Sequence, residues 1–150
     1  MTVIVWDGKT LAADKQATHG DLKRKATKIR RIRGHLVGIS GDWDRGQELL
    51  QWYEQGADPS KYPEFQKTQD DYVGMLVITP DKRILKYERS HVPIDFSEEE
   101  YYCMGSGRDF ATAGVYLGLS AAAAVHLTIN FCASCGLGVD TLTLEGDDAV

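Results

Sequence analysis

Residues 1–14 read MTVIVWDGKTLAAD. Val3, Ile4, Val5 and Trp6 are β-branched or aromatic, the composition of a strand. Asp7-Gly8 is a strong two-residue hairpin signal, and KTLAAD at residues 9–14 is the returning strand. With Asp7-Gly8 as the loop, Thr2 falls opposite Ala13. Neighbouring strand positions point to opposite faces, so Thr2 and Asp14 would then diverge unless a bulge re-aligned them. The hairpin leaves a small hydroxyl side chain, Thr2, at its edge, directly behind Met1.

Working outward, KQATHGDLKRKAT (15–27) is polar and is expected to be a loop that crosses a sheet edge. TKIRRI (27–32) alternates as a strand, Gly34-His35 is the expected turn, and LVGIS (36–40) is a short apolar strand. After Asp42-Trp43-Asp44, residues Leu49, Leu50, Trp52 and Tyr53 recur on one helical face until Gly56 and Pro59 end it. KYPEFQKTQDD (61–71) is expected to be a loop or short helix, and YVGMLVIT (72–79) a strand. Pro80-Asp81 turns into a strand at RILKYER, HVPIDF is extended, and SEEEYYCMGSG (97–107) runs as a strand into a glycine turn. Arg108 to Leu119 reads as a helix of small residues, and Ser120 caps a second one over 121–133. GVDTLTLEG (138–146) is a last strand, with a disordered tail expected from about residue 145. Hairpins, a helix, hairpins, two helices and a strand are the order of two stacked sheets with helices on both outer faces. No repeat of solenoid period divides the chain, and its 150 residues are expected to form one domain.

The net charge of −5 disfavours nucleic acid as a partner, because phosphate binding needs a basic field. Seven cations do crowd one segment (Lys23, Arg24, Lys25, Lys28, Arg30, Arg31, Arg33). Such a run is ordinarily a solvated edge, and its sharper reading is a subunit contact or a dock for an acidic partner. The longest small and apolar run, Ala111 to Ala124, is too short to span a bilayer. The N-terminus has no basic segment followed by an apolar block, so no signal peptide is expected. Three cysteines, Cys103, Cys132 and Cys135, leave an odd thiol and point to the reducing cytoplasm. Cys132 and Cys135 form a CxxC pair without the second pair a zinc site needs, so buried free thiols are expected and no metal. Trp43, Trp52 and Tyr53 are expected to pack a helix on a sheet.

Five blocks in order, LAADKQATHG, TKIRRI, LVGISG, MGSGRDFA and CGLGVDTLTL, resemble the proteasome β-type peptidases. The bacterial chambered peptidase HslV and the short proteasome-like proteins of bacteria and phages are similar. The resemblance covers nearly the whole chain and implies the N-terminal-nucleophile hydrolase fold, an α+β four-layer αββα sandwich. It also implies a threonine peptidase. Thr2, exposed by removal of Met1, would be the nucleophile, and its own α-amine, titrating near about 8, the base. Small second residues usually permit that removal. Taken by itself Thr2 is a plain strand former, and it is the order of the blocks that favours the nucleophile.

The resemblance carries further roles. Lys28 matches the active-site lysine, whose charge favours the alkoxide, and Asp14 the aspartate that orients it. Ser106, in Gly105-Ser106-Gly107, matches the serine that contacts the terminal amine. The backbone N–H of Ser40 or Gly41 matches the oxyanion donor, a kind of group that contributes roughly 3–4 kcal/mol in other hydrolases. Thr18 would pair its backbone with an extended substrate, and Ala17 and Gly38 would flank the first specificity pocket. Many active β subunits carry an aspartate at the place of Cys132, where HslV-type enzymes have a cysteine, and Cys135 stands where Ser or Thr is frequent. No cofactor is implied. The implied partners are a peptide or unfolded protein as substrate, further copies of the chain in a homo-oligomer or ring, and an ATP-dependent unfoldase. A catalytically silent assembly or binding module, and an amidase acting on small amides, are the rival expectations.

Overall fold

A computed structural model describes residues 2–65 and 72–146. The stretch 66–71, within the segment expected to be loop or short helix, and the tail from 147 lie outside the described residues. The first hairpin pairs β1 (Ile4–Trp6) with β2 (Thr10–Asp14). Its register matches Ile4 with Ala13 and Trp6 with Leu11, so the loop is Gly8-Lys9 and not Asp7-Gly8. The Asp7 side chain causes the shift. Its Oδ1 accepts the N–H groups of Lys9 at 2.9 Å and Thr10 at 2.7 Å, so Asp7 occupies the first corner of the turn. Gly8 then takes the position that needs φ +93°, which glycine adopts without steric cost. The expected pairing of Thr2 with Ala13 is thereby corrected. Val3 lies opposite Asp14, and the Asp14 N–H donates to the Val3 carbonyl at 3.2 Å; the pairing has moved by two positions, so Thr2 and Asp14 keep opposite strand parity.

The polar segment expected to be a loop is a second hairpin, β3 (Gln16–His19) with β4 (Leu22–Lys25). All of β4 is exposed, so no buried face imposed an apolar alternation on it. Then β5 (Ile29–Ile32) and β6 (His35–Gly41) pair around Arg33-Gly34, one residue before the expected turn. Both turn residues have positive φ, the geometry that matches strand twist in tight hairpins.

Helix α1 (Trp43–Glu54) starts at Asp42, whose side chain accepts the N–H groups of Asp44 and Arg45. A short 3-10 turn at Pro59–Lys61 follows. Strands β7 (Val73–Ile78), β8 (Ile84–Tyr87) and β9 (Ile94–Asp95) complete a five-stranded antiparallel sheet of order β5-β6-β7-β8-β9. β10 (Tyr102–Met104) and β11 (Val139–Thr143) flank the first hairpin in a four-stranded sheet of order β10-β1-β2-β11. Helices α2 (Arg108–Tyr116) and α3 (Ala121–Phe131) cover its outer face. Ser120 caps α3 through the Ala123 N–H.

Strand alternation distributes the core into three layers. Ile4, Trp6, Leu11, Leu36, Leu76 and Met104 pack between the two sheets. Val37, Ile39, Met75 and Val77 turn the other way, onto Leu49, Leu50, Trp52 and Tyr53 of α1. Val3, Val5 and Ala12 meet Ala111, Ala121, Ala124 and Val125 of α2 and α3. The result is the expected αββα sandwich. Small residues bring the two helices close: a side chain on Gly114 would meet Leu119 and Leu127 at 3.1 Å. Trp43 departs from its expected role; it stands exposed at the start of α1, while Trp52 and Tyr53 are buried against the sheet.

Asp7 also ties the hairpin tip to the helix layer, since its Oδ2 accepts the Ala121 N–H at 2.8 Å. Asp7→Ala removes three hydrogen bonds at once and is expected to cost about 2 kcal/mol, read as a lowered urea midpoint with an unchanged m-value.

Candidate active site

The register of the first hairpin sets Asp14 beside the start of β1. Asp14 is 0 % exposed and Lys28, just before β5, is 4 % exposed. Lys28 therefore leaves the solvated run of cations and points inward, unlike Lys23, Arg24 and Lys25 on the exposed β4. Its Nζ donates to Asp14 Oδ1 at 2.8 Å, and the Val3 N–H donates to the same oxygen at 3.1 Å. Oδ2 accepts the N–H of Gly136 at 3.0 Å and of Gln16 at 3.2 Å. A carboxylate is an acceptor with lone pairs for about four donors, and these four come from the residue before β1, from β3, from the approach to β5 and from the loop before β11.

Thr2 is held from the other side by Gly105-Ser106-Gly107. Its backbone N–H donates to Ser106 Oγ at 3.1 Å, and its carbonyl accepts the Gly107 N–H at 3.1 Å. Gly105, at φ +102°, lies so close that a Cβ there would stand 2.1 Å from the Thr2 carbonyl oxygen. A Cβ on Gly107 would stand 2.4 Å from Thr128 and 3.1 Å from Val3. Gly105 is thus dictated by the approach of the chain start, and Gly107 by that of Thr128 on α3. Ser106 Oγ lies 3.3 Å from Ser134 Oγ, which lies 3.2 Å from Cys132 Sγ.

Thr2 and Lys28 line one cleft of about 570 Å³, with Ala17 and Thr18 from β3, Gly41 from the end of β6 and Trp43 from α1. Gly41 has φ +96°, and a Cβ would stand 2.4 Å from the Tyr72 carbonyl oxygen, so only glycine fits. Of the two groups expected as oxyanion donors, Gly41 borders this cleft and Ser40 does not. Gly38 shares the β6 face of Leu36, and a Cβ would meet Ile4 and Ile29 at 3.0–3.2 Å, in the core between the sheets. It does not line the cleft. The sequence reading missed Ser134, hidden inside what looked like a CxxC motif, and Gly136, whose signal lay in the CGLG block. It also missed Asp42, Trp43 and Asp44, which wall the cleft.

Cys132 Sγ and Cys135 Sγ lie 3.6 Å apart as free thiols. The Ser134 hydroxyl beside Cys132 holds its thiol below the usual range, whereas burial pushes Cys135 up to about 12 and Cys103 up to about 11. Among the described residues, no group of three or more His, Cys, Asp or Glu side chains could hold a metal ion, and no helix is long and apolar enough to cross a membrane.

The four-layer sandwich has the fold of the proteasome-like N-terminal-nucleophile hydrolases. Thiobacillus denitrificans BPH, solved in complex with epoxomicin, is similar at TM-score 0.68 and 18% identity, over 97% of this chain and 99% of that one. HslV from Trypanosoma brucei is similar at TM-score 0.68 and 18% identity, over 94% of this chain and 97% of that one. Anbu from Yersinia bercovieri gives TM-score 0.71 at 13% identity, over 95% of this chain and 80% of that one. No protein-family model matches the chain, and no curated protein matches it in sequence.

Two outcomes test this geometry. Lys28→Met breaks a buried pair and should cost about 3 kcal/mol, while Asp14→Ala, which also orphans three backbone N–H groups, should cost more. Equal urea midpoints for the two variants would remove the backbone donors from the account. In native protein at mildly alkaline pH, iodoacetamide should alkylate Cys132 first, because a lowered pKa means more thiolate, with Cys103 and Cys135 reacting only on unfolding; peptide mapping reads the order.

Proposed function

We propose that this chain is a threonine peptidase of the proteasome-like type, with Thr2 as nucleophile once Met1 has been removed. The observation that carries the reading is the placement of the Thr2 backbone nitrogen. It lies 3.1 Å from Ser106 Oγ, and Thr2 shares a cleft with Lys28, which is paired to the buried Asp14. With Met1 attached that nitrogen is an amide and cannot act as a base; without it, the nitrogen is the α-amine.

In the proposed reaction the Thr2 hydroxyl attacks the substrate carbonyl carbon and passes its proton to the α-amine, directly or through water. The Lys28 ammonium favours the alkoxide form. The oxygen of the tetrahedral intermediate accepts the Gly41 N–H. Collapse breaks the C–N bond, and the ammonium returns the proton to the departing amine. An acyl ester on Thr2 remains. The α-amine then takes a proton from water, the hydroxide adds to the ester, and the carboxylic acid leaves as the hydroxyl is restored. An extended acyl chain would lie along β3, pairing with the backbone at Thr18, with Ala17 at the wall of its first pocket.

A cleft running along a strand between the exposed side chains of Arg24, Lys25 and Asp44 favours a peptide over a small amide. The proposed substrate is therefore a peptide or unfolded protein. The proposed working form is a homo-oligomer, a ring that encloses the sites and is fed by an ATP-dependent unfoldase, in the cytoplasm. Exposed Phe110 and Phe131 stack on each other on the outer helix layer, with Tyr116 and Leu117 exposed nearby in sequence, a face that suits contact between copies.

Intact mass with and without a peptide epoxyketone tests the nucleophile, because that reagent needs a free amine beside a hydroxyl. A chain lacking Met1 that gains one adduct on Thr2, absent from Thr2→Ala, is the expected result. A processed chain with no adduct and no peptide hydrolysis identifies a silent module of the same fold. Hydrolysis of small amides but not peptides identifies an amidase.

A further inference from the structure

A second cavity, of about 490 Å³, adjoins the first at Gly41. Its walls include Ser40, Tyr72, Lys86, Tyr102, Gly105 and Arg108. Gly105 and Ser106, which grip the Thr2 backbone, border this cavity and not the first. A substrate lying along Thr18 and crossing Gly41 at its scissile bond would enter it with the part beyond that bond.

The lining has one sign. Among the described residues around it, Lys86 and Arg108 are charged and none is acidic, whereas the first cleft mixes Arg24, Lys25 and Lys28 with Asp42 and Asp44. Lys86 stands on β8 opposite Leu76, with its side chain only 13 % exposed. Its Nζ lies 3.1 Å from Glu88 Oε1 and 5.9 Å from the centre of the Tyr102 ring, which is itself stacked on Phe96. An ammonium carries three donors, so Glu88 does not exhaust it. Arg108, at the start of α2, donates from Nη1 to the Gly105 carbonyl at 3.1 Å, which fixes one edge of its guanidinium fork.

The independent sign of a ligand is Ser40. Its Oγ is buried and has no hydrogen-bond partner among the described residues, and Ser40 lines this cavity. Buried hydroxyls are almost always paired, and a hydroxyl beside two cations is a donor suited to an anion.

We propose that this cavity binds a carboxylate on the leaving-group side of the candidate active site, with Lys86, Arg108 and the Ser40 hydroxyl as its donors. The place of the carboxylate in the reaction rests on the peptidase reading; its binding does not. In a peptide two sources share this chemistry: the C-terminal carboxylate of the residue just beyond the scissile bond, and an Asp or Glu side chain there.

The test is an NMR titration of the full chain with four probes: alanyl-alanine, alanyl-alanine amide, aspartyl-alanine amide and lysyl-alanine amide. At least one carboxylate probe should bind about tenfold more tightly than the neutral and cationic amides, shifting the amide signals of Ser40, Gly41 and Tyr102. Which carboxylate probe gains identifies the source. Lys86→Gln should abolish the tenfold difference; Arg108→Gln, at an exposed position, should reduce it and serves if Lys86→Gln does not fold. Equal affinity for carboxylate and amide probes, or shifts confined to other faces, overturns the proposal. Carboxylate discrimination without an epoxyketone adduct on Thr2 would sink the peptidase and leave the cavity standing. An adduct without discrimination would do the reverse.

Discussion

One buried carboxylate organises the candidate site. Asp14 collects the Val3 and Gln16 N–H groups, the Gly136 N–H and the Lys28 ammonium, so it joins the chain start to strands of both sheets and to the loop before β11. A buried charge is tolerated only when it is paired and its remaining lone pairs are used. The same set of bonds therefore satisfies the carboxylate, turns Lys28 inward and fixes the direction in which β1 begins. Position and packing are not separable here: the interaction that closes the fold also brings Lys28 to the cleft that Thr2 lines.

Backbone proximity does the rest. Gly105 presses against the Thr2 carbonyl and Gly107 against Thr128, where any Cβ would collide, and the Gly107 N–H holds the Thr2 carbonyl. Gly41 makes an equally close approach to the Tyr72 carbonyl oxygen and so closes the cleft at the end of β6. Glycines at these three positions let main chain, not side chains, build the walls around Thr2, which leaves the cleft itself to Lys28, the β3 residues and Trp43.

Much of this was legible in the sequence where an element is buried. The continuous apolar runs of β1 and β7, the alternation in β5 and the apolar face of α1 marked the strands, the helix and the two-sheet architecture. Turns were misplaced by one residue where a side chain or a non-glycine residue shares the corner, as Asp7 and Arg33 do. The β3-β4 hairpin was illegible because β4 is solvated on both faces, so the polar pattern of a loop and of a projecting hairpin are the same. Lys28 could not be told from its basic neighbours by composition; its inward turn depends on Asp14, fourteen positions away in sequence and known only once the hairpin is folded. The packing of Gly38 depends on parity along β6, and Leu36 places that face in the core. The roles of Ser134 and the Ser40 hydroxyl arise from contacts between distant segments and leave no local pattern.

The partners that lock the chain start come late in synthesis. Ser106 lies 104 residues after Thr2, and Gly136 lies 122 residues after Asp14. At ribosomal elongation rates these partners appear on the order of 10 seconds after the residues they hold. Long-range closure thus orders assembly: the pocket around Thr2 and Asp14 is completed only when the segments after β10 and α3 have been made and folded.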